Sequence, residues 1–268
     1  MNIENSNKSA EYWNTVADNI RSEVSNDLWR QHADCLNTEL LKRFLSSYPS
    51  FERTLKTDLF DESLGSGLVP FLSKISKEAA GIDISYFTTL YTSESHTQCL
   101  AVNASVIAPP FRGKSFDLIV SNSTLDHFST EKEIGVALRS LARVLQPGGH
   151  LIWTMDNPAN PIVGLRNALT RRRGTIGFLV PYKIGKTWNL QKMVRETSAL
   201  GLDVVDTALI MHCPRILVVQ FLKCLKILKK NASGKMISKG LRAMETMESL
   251  PSRAISAHYC AVHAIKKN

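Results

Sequence analysis

Short apolar runs alternate with segments of helical periodicity along most of this chain. Residues 116–121 form a nearly continuous apolar run, as expected of a buried strand, and residues 131–145 carry apolar side chains at the spacing of an amphipathic helix. A Pro-Gly-Gly turn follows at 147–149, and a second apolar run occupies 150–155. Short strands that alternate with helices predict a parallel sheet with right-handed crossover connections.

The same alternation extends through the rest of the chain and predicts an α/β fold with seven strands. The predicted strands lie at 54–60, 80–84, 98–102, 116–121, 150–155, 202–211 and 257–265. The predicted helices lie within 10–47 and at 68–79, 86–93, 131–145 and 188–200, with two more between 213 and 255. The stretch 156–186 is irregular in pattern and contains three prolines, which is typical of a functional lid.

This pattern divides the chain into four parts. Residues 1–50 are predicted to form an N-terminal helical cap, and 51–212 the core of the sheet, with 156–186 as a lid segment. Residues 213–255 are predicted to form a helical insertion before the final strand, which lies within 256–268. The pattern leaves the oligomeric state open between a monomer and a homodimer.

The composition constrains the environment of the protein more than its chemistry. No apolar run reaches the roughly 18 residues needed to cross a membrane, and the polar residues 1–10 do not resemble a signal peptide. The five cysteines are scattered and none forms a Cys-x-x-Cys pair. Such spacing favours reduced thiols in a cytoplasmic protein and argues against a zinc site, so we predict no metal ligands.

The charge is basic, with a formal net value of +9, and the excess is concentrated near the C-terminal end. Residues 212–243 contain eight lysines or arginines and no acidic residue. Within them, 214–230 combine apolar residues with lysines, including Lys223, Lys226 and Lys230, a composition that can lie on an anionic membrane surface. A helix packed on the core or on a second copy is the alternative. No nucleic-acid-binding module is recognisable, so we predict no nucleic-acid partner.

The segments 116–128 and 137–153 together resemble the second half of the class I, Rossmann-like methyltransferases that depend on S-adenosylmethionine (SAM). The resemblance covers about residues 25–215. It implies a mostly parallel seven-stranded sheet with helices on both faces, and a last strand that is antiparallel to its neighbours. It also implies methyl transfer from SAM to an O, N or C atom of a small molecule, with release of S-adenosylhomocysteine (SAH).

The resemblance also assigns cofactor-binding positions. Asp83, at the end of the second strand, corresponds to the acidic residue that accepts hydrogen bonds from the ribose hydroxyls. Asn103 stands where the family usually has an aspartate that meets the adenine amino group. The remaining expected cofactor contacts are Lys56, Thr57, Asp58, Phe60, Asp61, Ile84, Ala104, Ser121, Asn122 and Leu125.

The loop after the first strand departs from the family. Asp58, Phe60 and Glu62 stand where glycines normally let the backbone approach the cofactor, and glycines occur only later, at Gly65 and Gly67. The carboxylates of this loop can instead meet the cofactor's ammonium group, and Lys56 or Thr57 its carboxylate. Two alternatives follow from the altered loop. One is a non-catalytic partner protein or membrane-surface module, and the other is a SAM-using enzyme with different chemistry.

Catalytic candidates lie in the loop after the fourth strand, because ligands of open parallel sheets bind beyond the carboxyl ends of the strands. Methyl transfer to a hydroxyl or an amine is helped by a base, and His127 titrates in the right range, with Asp126 beside it to orient it. The alternative is that His127 only packs against the cofactor or caps a helix.

Acceptor-binding candidates come from several segments. Asn157 and Asn160 follow the fifth strand, Arg166 and Tyr182 belong to the lid segment, and Trp13 lies in the N-terminal cap. Arg166 and the run 171–173 suit an anionic acceptor, although solvent-facing charge is the alternative for each arginine.

Overall fold

The structure is a computed structural model that describes residues 3–22, 27–173, 182–227 and 234–268. The side chains of the predicted basic groups at 171–173 and at Lys223, Lys226 and Lys230 lie outside the described part. The five cysteines are free thiols.

Seven strands and eleven helices make up the described part, together with two short 3-10 turns at Leu125–His127 and Glu245–Ser249. The strands are β1 Phe51–Lys56, β2 Ser76–Asp83, β3 Cys99–Asn103, β4 Phe116–Asn122, β5 Leu145–Asp156, β6 Leu202–Ile210 and β7 Tyr259–Lys266. The first helices are α1 Ile3–Ser22, α2 Asp27–Phe44, α3 Phe60–Leu64, α4 Val69–Ile75, α5 Tyr86–Ser95 and α6 Glu131–Val144. The others are α7 Pro161–Arg173, α8 Leu190–Ser198, α9 Arg215–Ile227, α10 Gly234–Met244 and α11 Arg253–Ser256.

The strands form one sheet in the order β3-β2-β1-β4-β5-β7-β6. All neighbours are parallel except β7, which is inserted antiparallel between β5 and β6. This is the mostly parallel, Rossmann-like sheet that the sequence predicted. The chain reverses its direction of progress between β1 and β4, which opens a crevice beyond the carboxyl ends of these strands.

Both faces of the sheet are covered. Ile119 of β4 packs into an apolar cluster with Leu138 of α6, whereas its neighbours Leu118 and Val120 point into a second cluster with Leu41 of α2. All five of these side chains are at most 1% exposed. The strands therefore read as continuous apolar runs because each alternate side chain meets a different layer of helices.

The N-terminal segment, predicted to be helical within 10–47, consists of two helices with different environments. Helix α2 packs on the core through Leu41, whereas α1 lies against α5, where Asn14 accepts a hydrogen bond from Ser85 Oγ at 2.9 Å. Helix α1 therefore lies beside the carboxyl end of β2, over the crevice.

Several predicted boundaries differ from the structure, since β1 spans Phe51–Lys56 and not 54–60, and β5 begins at Leu145 and not at 150. Strand β2 begins at Ser76, not at 80, because Ser76 pairs with Phe51 of β1 and this pairing prevails over the helical tendency of the sequence there. The segment 156–186 contains the regular helix α7. Pro161 is its first residue, and the Asn160 side chain accepts from the backbone N–H groups of Ile162 and Val163 at 2.9 and 3.3 Å. Asn-Pro is a helix-start signal, since proline fits the first helical position and asparagine caps it.

Helix α9 occupies most of the segment predicted as a membrane-surface or core-packed helix. Leu222 is buried in the second cluster with Val218 and Val219 against it, while Leu217 and Phe221 are more than half exposed. Core packing therefore accounts for one face, and contact of the other face with a membrane stays a prediction. None of the helices in the described ranges combines the length and apolar character needed to span a bilayer.

Candidate active site

A cleft of about 1150 Å³, including its opening to solvent, lies beyond the carboxyl ends of β1, β2, β3 and β4. Eleven of the residues predicted from the sequence line it. They are Trp13, Thr57, Asp58, Phe60, Asp61, Asp83, Ile84, Ala104, Asn122, His127 and Tyr182. The sheet thus brings together side chains that are up to 169 positions apart in the sequence.

Asp83 is fixed in the cleft by two backbone groups. Its Oδ1 accepts from the N–H of Ser85 at 2.8 Å, and its Oδ2 accepts from the N–H of Leu59 at 3.1 Å. Burial, reinforced by the negative charge of Asp58, raises the pKa of Asp83 to about 7. Each oxygen keeps a further lone pair, so an oriented carboxylate is available to two hydroxyl donors.

The turn after β1 is built without glycine. Asp58 Oδ1 accepts from the N–H of Phe60 at 2.9 Å and starts helix α3, which is a common use of an aspartate side chain in place of a backbone turn. The next residue, Leu59, is fully buried and fills the space above Gly81, where any Cβ would overlap its side chain. The close approach of Leu59 therefore requires a small residue in β2, at Gly81, and not in the turn itself.

Lys56 is already paired, so the expected role of this residue in holding the cofactor's carboxylate is wrong. Its Nζ lies 3.0 Å from Glu62 Oε2 and donates to the carbonyl of Asp58, and both charged side chains are almost completely buried. Burial alone lowers the pKa of Lys56, but the charges of Glu62 and Asp58 raise it above its ordinary value. Glu62 Oε1 accepts from the N–H of Leu68 at 2.8 Å.

Gly67 serves this ion pair and not a cofactor. It adopts a φ of 55°, and a Cβ at this position would collide with the Glu62 carboxylate. The glycine that follows the altered motif is thus explained by its close approach to the buried glutamate.

His127 faces the cleft in a defined tautomer. Its Nδ1 lies 3.0 Å from the carbonyl oxygen of Lys183, so the neutral ring donates from Nδ1 and keeps the lone pair of Nε2. The ring lies between Trp13 and Tyr182, with centroid distances of 4.8 and 5.5 Å. This arrangement leaves Nε2 able to accept a proton.

Asp126, predicted to orient His127, does not line the cleft. Its Oδ2 accepts from Ser123 Oγ at 2.8 Å and from the N–H of Asp156 at 3.0 Å, and its Oδ1 is 3.9 Å from His127 Nε2, beyond hydrogen-bonding distance. Burial, followed by the charge of Asp156, raises the pKa of Asp126. Its contacts therefore hold the β4 loop against the end of β5, and the Lys183 carbonyl orients the histidine.

Three predicted cofactor contacts also lie outside the lining. Asn103 donates to the carbonyls of Asp83 and Ile84 at 3.0 Å each and shapes the loop after β2. Ser121 is buried and accepts from Thr57 Oγ1 at 2.8 Å, and Leu125 belongs to the apolar core. These residues support the cleft from behind.

The predicted acceptor residues after β5 are structural. Asn157 Nδ2 donates to the carbonyl of Ala254 at 2.8 Å, Asn160 caps helix α7, and Arg166 forms a buried ion pair with Asp156. Since their polar groups are satisfied inside the protein, none of the three is presented to the cleft.

The structure adds residues to the cleft that the sequence did not reveal. Arg215, at the start of α9, donates from Nη2 to the hydroxyl of Tyr182 at 2.7 Å and from Nη1 to that of Tyr259 at 3.1 Å. Both tyrosines and Arg215 line the cleft. No sequence signal pointed to Arg215, because it belongs to a basic segment far from the recognised motifs.

Helix α1 covers part of the cleft. Ser9 and Trp13 belong to the lining, and the hydroxyl of Tyr12 accepts from the N–H of Lys183 at 2.6 Å. The helix is therefore attached on both sides of the crevice, to α5 through Asn14 and to the lid segment through Tyr12.

A second polar cluster lies away from the cleft. His32, Cys213 and Glu245 place their potential metal-ligating atoms within 4.8 Å of one another. His32 Nε2 is 3.5 Å from Cys213 Sγ and 3.4 Å from Glu245 Oε1. Glu245 also accepts from the N–H of His212 at 3.0 Å, so this cluster ties α2 to the end of β6 and to the helical insertion.

Comparison with known proteins agrees with the geometry. Residues 63–153 match the family described as a methyltransferase domain. The order of the strands in the sheet indicates the class I fold. The match to the family covers about a third of the chain. The protein has a class I methyltransferase fold, and its residues 63–153 are similar to the methyltransferase-domain family.

The individual relatives differ in how much sequence and structure they share with this protein. The human protein "Probable tRNA methyltransferase 9B" is 31% identical over 96 residues, which are 35% of this chain and 21% of that protein. A putative sarcosine dimethylglycine methyltransferase from Galdieria sulphuraria has 15% identity and a TM-score of 0.60, over 97% of this chain and 98% of the other. The N-methyltransferase NodS from Bradyrhizobium japonicum, in complex with SAH, has 14% identity and a TM-score of 0.57, over 96% and 100%. At these identities the two structures establish a shared fold.

Breaking the buried pair of Lys56 and Glu62 on one side should strongly destabilise the protein. We expect Lys56→Met to lower the free energy of unfolding by about 3–5 kcal/mol, because it leaves an unpaired buried carboxylate. Urea denaturation measures the loss. The exposed pair of Lys77 and Glu52 is the matched control, with side chains 75% and 67% exposed, and Lys77→Met should have no measurable effect. The double variant Lys56→Met, Glu62→Leu should recover much of the stability, and additive losses would contradict this account.

The contact between Leu59 and Gly81 predicts a second effect on stability. Gly81→Ala should cost about 1–3 kcal/mol, since the new methyl group overlaps Leu59 in a packed interior. Gly240→Ala, in α10, is the control, because a Cβ there meets nothing within 4 Å and should be neutral or slightly stabilising.

Urea denaturation in a Leu59→Ala background tests the cause of this second effect. There the cost of Gly81→Ala should largely disappear, and an unchanged cost would show that Leu59 is not responsible.

Proposed function

We propose that this protein transfers the methyl group of SAM to an O, N or C atom of a small-molecule acceptor and releases SAH. The observation that carries the proposal is the juxtaposition, in one cleft, of the fixed carboxylate of Asp83 and the free Nε2 of His127. The first suits a nucleoside sugar, and the second suits a proton released by an acceptor.

The charges of the cleft suit SAM, which carries a sulfonium and an ammonium group. Asp58, Asp61 and Asp83 line the cleft, all contributed by the β1 and β2 loops. Arg215 is the one lysine or arginine among the described lining residues. A cluster of carboxylates with little compensating charge attracts a cationic ligand.

The altered loop after β1 is compatible with this cofactor. Asp58 forms the turn with its own side chain, and Leu59 points away into the pocket above Gly81. The turn therefore remains short, and its carboxylates stay at the cleft wall, where they can bind an ammonium group. Bulky side chains that filled the crevice would favour the non-catalytic alternative, whereas this crevice is an open cleft lined by Asp58, Asp61 and Asp83.

SAM, when bound, supplies an electrophilic methyl group that is displaced from sulfur by an in-line nucleophile. The protein's own contribution is to hold the two partners in line and to exclude water, which accounts for much of the rate of such reactions. Trp13 and Tyr182 enclose the ring of His127 and limit the access of solvent. Nε2 of His127 takes the proton of a hydroxyl or amine acceptor as the new bond forms.

Cofactor binding should depend on pH through Asp83. Since the pKa of the free carboxyl is raised to about 7 and the ribose contact needs the ionised form, affinity for SAH should fall about tenfold between pH 8 and pH 6. Calorimetric titration across this range measures the change. Asp83→Asn should weaken binding at pH 8 by at least about tenfold and remove most of the pH dependence.

Asp117→Asn is the matched control for this titration. Asp117 also accepts two backbone N–H groups, those of Glu52 and Arg53 at 2.7 and 2.8 Å, but at the opposite end of the sheet. Its replacement should leave SAH affinity unchanged. Absence of SAH binding to the unaltered protein at millimolar concentration would favour a non-catalytic role.

Turnover should depend on His127. With methyl-labelled SAM and fractionated cell extract, we expect label in a small-molecule fraction together with SAH. His127→Ala should slow the reaction by about 10²–10⁴-fold while SAH affinity changes little.

Full activity of that variant would remove His127 from the role of base. The human relative named as a probable tRNA methyltransferase supplies a contrasting acceptor, so total tRNA is tested in parallel. Label in tRNA alone would overturn the small-molecule part of the proposal, and cofactor use without SAH formation would indicate a different reaction.

A further inference from the structure

Arg215 is a cation held in place without an ionic partner. Its guanidinium is partly buried and donates to the hydroxyls of Tyr182 and Tyr259, and it forms no ion pair among the described residues. A hydroxyl oxygen accepts a hydrogen bond without cancelling charge. The two tyrosines therefore fix the orientation of the guanidinium without neutralising its positive charge.

Arg166, a buried arginine with a structural role, differs from Arg215 because it has a carboxylate partner. Its Nη2 pairs directly with Asp156, and its Nε donates to Asn167 Oδ1 at 3.0 Å. Burial alone would raise the pKa of Asp156, but Arg166 and His258 hold it well below its ordinary range. Asp156, the buried carboxylate whose charge acts on Arg215, is thus already neutralised by Arg166, and Arg215 is not its principal partner.

The other groups around Arg215 do not supply an anionic partner for its guanidinium. Asp61 is exposed and makes no direct contact with Arg215, and Tyr259 is neutral near pH 7, because burial raises its pKa further above its ordinary value. A guanidinium has five N–H donors, and the two tyrosines use one on each terminal nitrogen. Donors remain on both terminal nitrogens for a planar or tetrahedral anion.

Arg215 is also adjacent to the proposed base. Tyr182, which accepts from Arg215 at 2.7 Å, has its ring 5.5 Å from that of His127. Tyr259 begins β7 and pairs with Asp156 at the end of β5, whereas Asp83 ends β2, on the other side of β1 and β4. The cleft therefore has an acidic region at β1 and β2 and a basic one at β5 and β7.

We propose that Arg215, oriented by Tyr182 and Tyr259, binds a carboxylate or phosphate group of the methyl acceptor. The inference rests on the proposed function and specifies its substrate class as anionic. Arginine suits this task because its planar fork matches the two oxygens of such groups. An acceptor anchored there lies beside Nε2 of His127.

Two simple anions, benzoate and inorganic phosphate, test the proposal on the full chain, each with and without saturating SAH. Saturation-transfer NMR follows benzoate, and ³¹P line broadening follows phosphate. We expect binding of at least one anion and a loss of at least about tenfold in its affinity for Arg215→Gln. Arg195→Gln is the control, because Arg195 is 70% exposed on α8, and it should bind as the unaltered protein does.

The SAH affinity and the melting temperature of each variant separate this inference from its premise. If the unaltered protein fails to bind SAH, the proposed function fails, and the anion measurement without SAH still reports on Arg215. If SAH binds but neither anion does, or if Arg215→Gln retains full anion affinity, the inference is overturned. A large loss of SAH affinity in Arg215→Gln would assign this arginine to the cofactor and would also overturn it.

Two milder variants apply if Arg215→Gln does not fold. Arg215→Lys keeps the charge without the planar fork and should weaken phosphate less than benzoate, whose carboxylate is planar. Tyr182→Phe removes one orienting hydroxyl and should weaken both anions several-fold. Unchanged affinities in both variants would contradict the proposal.

Discussion

The buried ion pair between Lys56 and Glu62 is the constraint on which the cleft depends. A charged pair inside a protein is tolerated only when each partner is satisfied, and here the backbone of the β1 loop supplies the remaining contacts. The pair joins the end of β1 to helix α3 and to Leu68, directly before α4. In doing so it holds Asp58 and Leu59 in a tight turn that glycine would otherwise provide. The unusual motif is therefore a different solution to the same geometric requirement.

The distribution of charge around the cleft follows from this solution. Carboxylates that belong to the β1 and β2 loops are concentrated at one end, where burial and then the negative charge of Asp58 raise the pKa of Asp83. The opposite end contains Arg215. Such a gradient suits a cation next to an anion, and therefore a cationic cofactor beside an anionic acceptor.

The comparisons support the fold more strongly than the substrate. The family match covers residues 63–153, and the chain spans about a fifth, 21%, of the length of the curated relatives. The cleft residues Trp13, Tyr182 and Arg215, which we propose to face the acceptor, come from α1, the lid segment and the start of α9, outside the matched region. Function in such folds is carried by added segments, so the acceptor must be argued from them and not from the shared sheet.

The predicted sheet and most of its strands followed from local periodicity, because each buried strand must be apolar wherever it lies in the sheet. Positions at strand ends were also predictable, and Asp83 and His127 were found in this way. The partners of buried polar side chains were not predictable from the sequence. The sequence could not indicate that Glu62 would form an ion pair with Lys56, or Asp156 with Arg166. Nor could it indicate that the asparagines after β5 would donate hydrogen bonds to backbone carbonyls.

By itself the sequence determined the α/β class, the order of the elements and the identity of the strand-end residues, because these depend on neighbours along the chain. Only the tertiary structure decided which polar side chains are free to meet a ligand. A charged or amide group that is already paired with a distant residue is no longer available to bind a ligand. Arg215 remained available, and Arg166 did not, because of contacts that connect segments far apart in the chain.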